Sequence, residues 1–138
     1  MIRAFREEDT EAVVALWEAC EQTRPWNDPR KDIARKLTVQ REWFLVSDDD
    51  GEIVGSVMAG YDGHRGWVNY LAVAPAHRRG GLGRKLMAEA ERLLGEAGCP
   101  KINLQVRGTN EVALGFYERL GYTRDDVVSL GLRLEPDD

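Results

Sequence analysis

The run Leu71-Ala72-Val73-Ala74-Pro75-Ala76-His77-Arg78-Arg79-Gly80-Gly81-Leu82-Gly83-Arg84 constrains this chain more than any other. An apolar strand meets a proline, passes through a glycine-rich turn and enters an amphipathic helix. Leu82, Leu86, Met87, Ala90, Leu93, Leu94 and Ala97 form that helix's apolar stripe, and Gly98 stops it. Lys101 to Val106 then reads as another strand. A strand, a crossover helix and a second strand in one sheet come out parallel. Strands Trp67–Val73 and Lys101–Val106 are therefore expected side by side and parallel.

The flanking sequence supplies antiparallel strands and more helices. Ile2 to Arg6 is a short strand. Glu7 to Cys20 has helical spacing, with Val13, Leu16, Trp17 and Cys20 on one stripe and acidic residues at its start. Arg24-Pro25-Trp26-Asn27-Asp28-Pro29 is a loop, and Asp28-Pro29 opens a second helix running to about Leu37. Trp43 to Ser47 and Ile53 to Tyr61 form a hairpin about Asp48-Asp49-Asp50-Gly51, and Asp62 to Gly66 is a second turn. Asn110 to Leu120 is a helix closed by Gly121, and Val127 to Leu134 is a last strand. The order β-α-α-β-β-β-α-β-α-β predicts a single α/β domain over 1–138, one mixed twisted sheet with helices on both faces.

Composition excludes several functions. Hydrophobic residues are 43% and charged residues 31%, the profile of a globular chain. No apolar run approaches the ~20 residues of a membrane span, and the N-terminus lacks a signal's apolar core. A cytoplasmic protein with no membrane partner is expected. The net charge of −5 argues against nucleic acid and mildly favours a cationic partner such as an amine. Cys20 and Cys99 lie far apart, and with only His64 and His77 no metal-ligand spacing emerges.

The glycine-rich turn carries the chemistry. A strand, turn and helix N-terminus present free backbone N–H groups in a positive potential, and glycine lets the backbone approach a bulky anion. Arg78, Arg79 and Arg84 add cationic charge, so the turn suits a pyrophosphate. It is not a P-loop, because G-x-x-x-x-G-K-[ST] is absent. It is not a dinucleotide fingerprint either, because Leu86 stands where the third glycine belongs.

Arg78, Gly81 and Gly83, spaced R-x-x-G-x-G after Leu-Ala-Val and a proline, resemble the signature of the GNAT superfamily of N-acetyltransferases. Asn110, followed seven residues on by Tyr117 and then by Gly121-Tyr122, is similar to that family's second signature. Arg24 to Pro29 and Gly60 to Gly66 look like hallmarks of its YpeA-like subgroup. The resemblance implies a single-domain GNAT-like fold with a V-shaped cofactor cleft between two parallel strands. It implies acetyl-CoA as cosubstrate, with backbone groups of Leu71, Ala72 and Val73 on the acetyl carbonyl and pantetheine arm. Amides of Arg79, Gly80, Gly81, Leu82, Gly83 and Arg84 would hold the pyrophosphate, Asn110 the pantetheine arm, and Tyr117 would protonate the departing thiolate.

Spacing alone puts Asn110, Ala113 and Tyr117 on one helix face. It also allows Tyr117 to be a half-buried core residue and Asn110 a plain N-cap. One departure stands out: where related ribosomal-protein acetyltransferases carry a basic glutamate, this chain has Gln105, which cannot take a proton. Candidate acceptor-side residues are Trp26, Asn27 and Asp28 in the first loop, and Asp62 and His64 in the turn before the cofactor strand. Each also has a structural reading: Trp26 as a core cap, Asp28 as a helix N-cap, His64 as a turn residue. The expected reaction is acetyl transfer to a small-molecule or peptide amine by direct attack in a ternary complex. A non-catalytic CoA-binding regulatory module and a protein N-terminal acetyltransferase are the rivals, and a homodimer is an assembly open to such a chain.

Overall fold

The computed structural model describes residues 1–137. Five strands form one mixed sheet in chain order: β1 (Ile2–Ala4), β2 (Phe44–Asp49), β3 (Glu52–Tyr61), β4 (Gly66–Val73) and β5 (Ile102–Leu104). All neighbours are antiparallel except β4 and β5, which are parallel as the crossover requires. The crossover is the helix α3 (Leu82–Glu96).

Helices α1 (Thr10–Ala19) and α2 (Pro29–Lys36) cover one face of the sheet, and α3 and α4 (Glu111–Arg119) the other. Strand alternation therefore feeds two cores. Phe5, Val13, Trp17, Ile33, Phe44 and Val46 fill the first, where Phe5 stacks on Phe44 at 4.3 Å between ring centroids. Leu45, Val57, Val68, Leu86, Met87 and Leu94 fill the second. No helix among the described residues is long and apolar enough to cross a membrane.

Two irregularities shape the middle of the sheet. The β3–β4 register shifts between Ser56 and Met58, with the extra residue on β4, and within this bulge Tyr70 takes a left-handed φ of 53°. A bulky residue seldom tolerates that conformation. Here Ser56 Oγ donates to the Tyr70 carbonyl at 2.8 Å and accepts the Trp17 indole N–H at 2.9 Å. The bulge is thus pinned from inside the core. The second irregularity is that β4 and β5 pair only from Gly66↔Ile102 to Val68↔Leu104 and then part.

The expected strand Val127–Leu134 is not formed, and among the described residues no strand follows α4. The apolar alternation at Val128, Leu130, Leu132 and Leu134 finds no ladder, and these residues are exposed, Leu130 by 91%. β-propensity is realised only against packed neighbours, and β5, three residues long, offers little edge. Side chains tether this arm instead. Lys101 reaches Asp125 at 3.0 Å, and Gln105 Nε2 donates to Ser129 Oγ. Arg133 donates to Asn27 Oδ1 at 2.9 Å, and Asp137 is buried against α2. β5 also ends at Leu104, so Gln105 lies just beyond the strand that the sequence pattern assigned to it.

Candidate functional site

The parting of β4 from β5 opens an unpaired backbone edge. Ala74 N donates to Val54 O at 2.8 Å, so Ala74 faces β3. By alternation, Leu71 and Val73 turn their N–H and C=O groups away from β3 toward the gap left by β5. Their carbonyls are taken by side chains: Gln22 Nε2 on Leu71 at 2.8 Å, and Cys20 Sγ at 3.3 Å and Arg78 Nε at 3.1 Å on Val73. Ala72 lies buried in the first core.

The glycine turn leads from this edge into α3. Arg79 (φ 76°) and Gly81 (φ 80°) are both left-handed and bracket Gly80. Left-handed residues in a turn make an anion-binding concavity. A Cβ at Gly81 would meet nothing within 4 Å, so the turn is open on that side. The three longer helices that begin with a non-helical cap differ at this point. Asp28 caps α2 through Arg30 N at 2.9 Å, and Asn110 caps α4 through Ala113 N at 3.1 Å. Gly81, the cap of α3, supplies no side chain. The first N–H groups of the longest helix are left free for an outside acceptor, with Leu82, Gly83 and Arg84 in its first turn. These features fit a pyrophosphate bearing cosubstrate.

Helix α4 is seated on that same turn. Phe116 packs against Gly83, where a Cβ would come within 3.2 Å of its Cζ. Tyr117 shares the second core with Leu71, Val73 and Leu82, edge-on to Phe116 and Tyr122 at 5.1 and 5.8 Å. Burial pushes its phenol up to about 12. Asn110 spends Oδ1 on the cap and keeps its amide nitrogen.

Among the acceptor-side candidates the structure separates two groups. Trp26, Asn27 and Asp28 sit at the entrance to α2, beside the C-terminal arm. Trp26, Arg35, Leu132, Arg133, Leu134 and Glu135 line an open cleft of ≈ 620 Å³ there. Asp62 and His64 lie at the other end of β4. Asp62 Oδ1 accepts from His64 N and Arg65 N at 2.8 and 2.7 Å, an ordinary turn that holds its carboxyl below the usual range. Five residues of extended chain, about 16 Å, separate His64 from Asn69, where β4 leaves β5.

Three residues on this side escape sequence reading. Tyr70 Oη donates to Asp32 Oδ2 at 2.8 Å and accepts from Asn27 Nδ2 at 3.2 Å, while its ring stacks on Trp17 at 3.7 Å. Burial, then Asp32, pushes this phenol well above the ordinary range. Gln22 Oε1 is buried without a partner among the described residues. Asp32 reads in sequence as one more charge on a polar helix, and only the bulge turns Tyr70 toward it.

The sequence matches the family model described as acetyltransferase (GNAT) family over residues 4–122. It is 52% identical over 136 residues to an acetyltransferase of Pectobacterium atrosepticum, spanning 99% of this chain and 96% of that protein. The fold is similar to Naa20 of Chaetomium thermophilum in complex with a bisubstrate analogue, with a TM-score of 0.73 and 25% identity over 89% of this chain and 70% of that one. It is also similar in fold to an aminoglycoside acetyltransferase from an uncultured soil metagenomic sample, in complex with trehalose. There the TM-score is 0.75 and the identity 23%, over 98% of this chain and 96% of that one.

Proposed function

The chain belongs to the GNAT family of acetyltransferases, and we propose that it moves an acetyl group from acetyl-CoA to a primary amine by direct attack in a ternary complex. One observation carries the reading. The uncapped N-terminus of α3 is joined through the glycine turn to a strand whose Leu71 and Val73 edge has lost its neighbour. An anion at the turn and an extended arm along the edge are what that pair of features accommodates.

Acetyl-CoA supplies the activated acetyl group. The amides of Arg79 to Arg84 hold its pyrophosphate, and the Leu71 and Val73 N–H groups take the pantetheine arm, their carbonyls being held by Gln22, Cys20 and Arg78. Backbone N–H groups there face the negative charge that grows on the carbonyl oxygen, without reorganising during the reaction. The Asn110 amide reaches the arm from α4, and the Tyr117 hydroxyl attends the departing sulfur. Trp26 and Asn27 border the entrance for the amine. The reading includes a cytoplasmic protein of the YpeA-like subgroup, whose hallmarks the Arg24–Pro29 loop and the Gly60–Gly66 turn resemble.

Acceptor chemistry is the open variable that one experiment addresses. Release of CoA is followed with amino acids, polyamines, aminoglycosides and peptides, alongside calorimetry of acetyl-CoA binding. Turnover with an amine supports the reading, and a preference for peptides would direct it toward protein N-termini. Tight acetyl-CoA binding with no turnover on any of them would favour a regulatory module, for which the Gln105 amide, engaged with Ser129 rather than with a carboxylate's proton chemistry, is the supporting feature.

A further inference from the structure

An alkyl ammonium with a pKa near 10.4 carries no lone pair at neutral pH, so a proton must leave it before or as it attacks. Gln105 cannot take that proton. Asp62 lies in the turn at the far end of β4, and Asp28 Oδ1 caps α2. One carboxylate does reach the strand at its point of departure from β5. Asp32 Oδ2 accepts from Tyr70 Oη at 2.8 Å and also from the Asn27 amide, which orients it, and Tyr70 is the residue immediately before the Leu71 edge.

We propose that Tyr70 and Asp32 form a proton relay for the acceptor amine, Tyr70 meeting the nitrogen and Asp32 receiving the proton. The inference rests on the acetyl-transfer reading above. As the nitrogen lone pair forms the C–N bond, one ammonium proton passes to Tyr70 Oη and the phenol proton passes to Asp32 Oδ2. Phenol is regenerated, and Asp32 becomes a neutral acid that later releases its proton to water. The second nitrogen proton leaves as the amide forms and ends on the sulfur of the broken C–S bond. Two protons and one bonding pair are thereby accounted for.

Several features suit Tyr70 to this work. Its phenol stays protonated across the working pH range, held so by burial. Its orientation is fixed by the Trp17 stack, and its backbone sits in a strained conformation held by Ser56. Strain of this kind persists where the surroundings enforce it, and it clusters at functional sites. The charges around the relay nearly cancel. Arg35 Nη1 donates to Asp32 Oδ1 at 3.0 Å, and Arg35 Nη2 to Asp137 at 2.6 Å. Arg133 lies 3.4 Å from Asp137 and holds Asn27, while Lys31 Nζ donates to the Asp137 carbonyl at 3.0 Å. α1 contributes Trp17 and no charge to this cluster.

The test is the pH dependence of kcat/KM for CoA release from acetyl-CoA, using the fastest amine of the acceptor panel, in wild type, Asp32→Asn, Asp32→Glu and Tyr70→Phe. Asp32→Asn and Tyr70→Phe are expected to lose roughly 10²-fold or more at pH 7 and to approach wild type above the amine's pKa, where the lone pair is already free. Asp32→Glu should recover part of the loss, and calorimetric acetyl-CoA affinity should stay within about twofold throughout. If Asp32→Asn does not fold, Tyr70→Phe carries the same comparison, because it keeps the ring on Trp17. A loss of equal size at every pH marks a structural role and overturns the relay, as does turnover indifferent to both changes. A wild type that binds acetyl-CoA but serves no amine overturns the acetyl-transfer reading, and the relay with it.

Discussion

Gly83 and Phe116 are in direct contact across α3 and α4: a Cβ on Gly83 would stand 3.2 Å from Phe116 Cζ and 3.3 Å from Cε1. The two sequence runs that look independent along the chain are therefore one structure. The first turn of α3 has no side chain at 83 because the α4 aromatic occupies that space, and Tyr117 is carried to the same place by the next residue. Position 83 is thus glycine for packing, whereas position 81 is glycine for its left-handed backbone.

Substitutions at the two glycines should separate these reasons. Gly81→Asp adds a negative side chain in open space at a helix N-terminus and strains a left-handed φ, so acetyl-CoA binding should be abolished while the fold survives with a loss of about 1 kcal/mol. Gly83→Asp should also abolish binding, and it should lower Tm further, because Phe116 must move. Calorimetric titration and thermal melts check both. Undiminished binding in folded Gly81→Asp would remove the turn from the cosubstrate site.

Ser56→Ala should be costly for a change of one atom. Ser56 is fully buried, and its hydroxyl both accepts from Trp17 and donates to the Tyr70 carbonyl. Each buried group left without a partner costs about 1–3 kcal/mol. At roughly 2–4 °C per kcal/mol for a domain of this size, Tm should fall by several degrees. A melt within 1 °C of wild type, or about that, would mean that the indole and carbonyl find other partners.

How much of this was legible in the sequence follows from where the information is local. The crossover unit, the glycine turn and the hairpins are each encoded within a few consecutive residues, and they appear as expected. The expected last strand is absent because alternation at Val128 to Leu134 specifies a strand only when a neighbour exists to pair with it. The Tyr70–Asp32 contact spans 38 residues and depends on a bulge. Strict alternation puts Tyr70 in line with Val68 and Ala72 as plain core, and no local signal marks the register shift. Pro25 and Pro29 mark the Trp26–Asn27 segment as a loop, and the structure places it at the entrance to α2.

Acid should unfold the protein partly through Asp9. This carboxylate is buried at the sheet edge, where Arg3 donates to both oxygens at 2.8 and 3.0 Å and Arg6 N adds a third bond at 2.8 Å. Arg3 first, then the Arg6 amide, holds its carboxyl below the usual range. A depressed acid stabilises the fold fully above its unfolded pKa, about 3.9, and loses that contribution as pH falls through the folded value. Asp9→Asn should therefore cost about 1.5–3 kcal/mol at pH 7, and the gap from wild type should shrink below pH 3. Urea unfolding at the two pH values measures it, and an equal gap at both would assign the loss to packing rather than charge.

Tyr117 presents the opposite case, a neutral group that burial keeps neutral. Its phenol is pushed up to about 12, while a free thiol ionises near 8.5. Handing a proton from such a phenol to a departing thiolate is uphill by more than three pH units. The hydroxyl is better suited to hydrogen-bond the sulfur as the C–S bond lengthens, with the final proton coming from the amine nitrogen. Tyr117→Phe should then lower kcat by roughly 10²-fold, about the loss expected on removing one hydrogen-bond donor to developing charge, with acetyl-CoA affinity little changed. In wild type no falling limb should appear below about pH 11, because the group does not ionise there. Stability gives an independent readout. A phenol raised above its unfolded value, about 10, contributes stability fully below that pH and loses it as pH climbs toward 12. Wild-type Tm should fall over that window, and the fall should be shallower in Tyr117→Phe. Unchanged kcat under conditions where chemistry limits turnover would take Tyr117 out of the mechanism. A falling kcat limb near pH 9 that disappears in Tyr117→Phe would instead show that the phenol ionises close to its ordinary value and acts as a true proton donor.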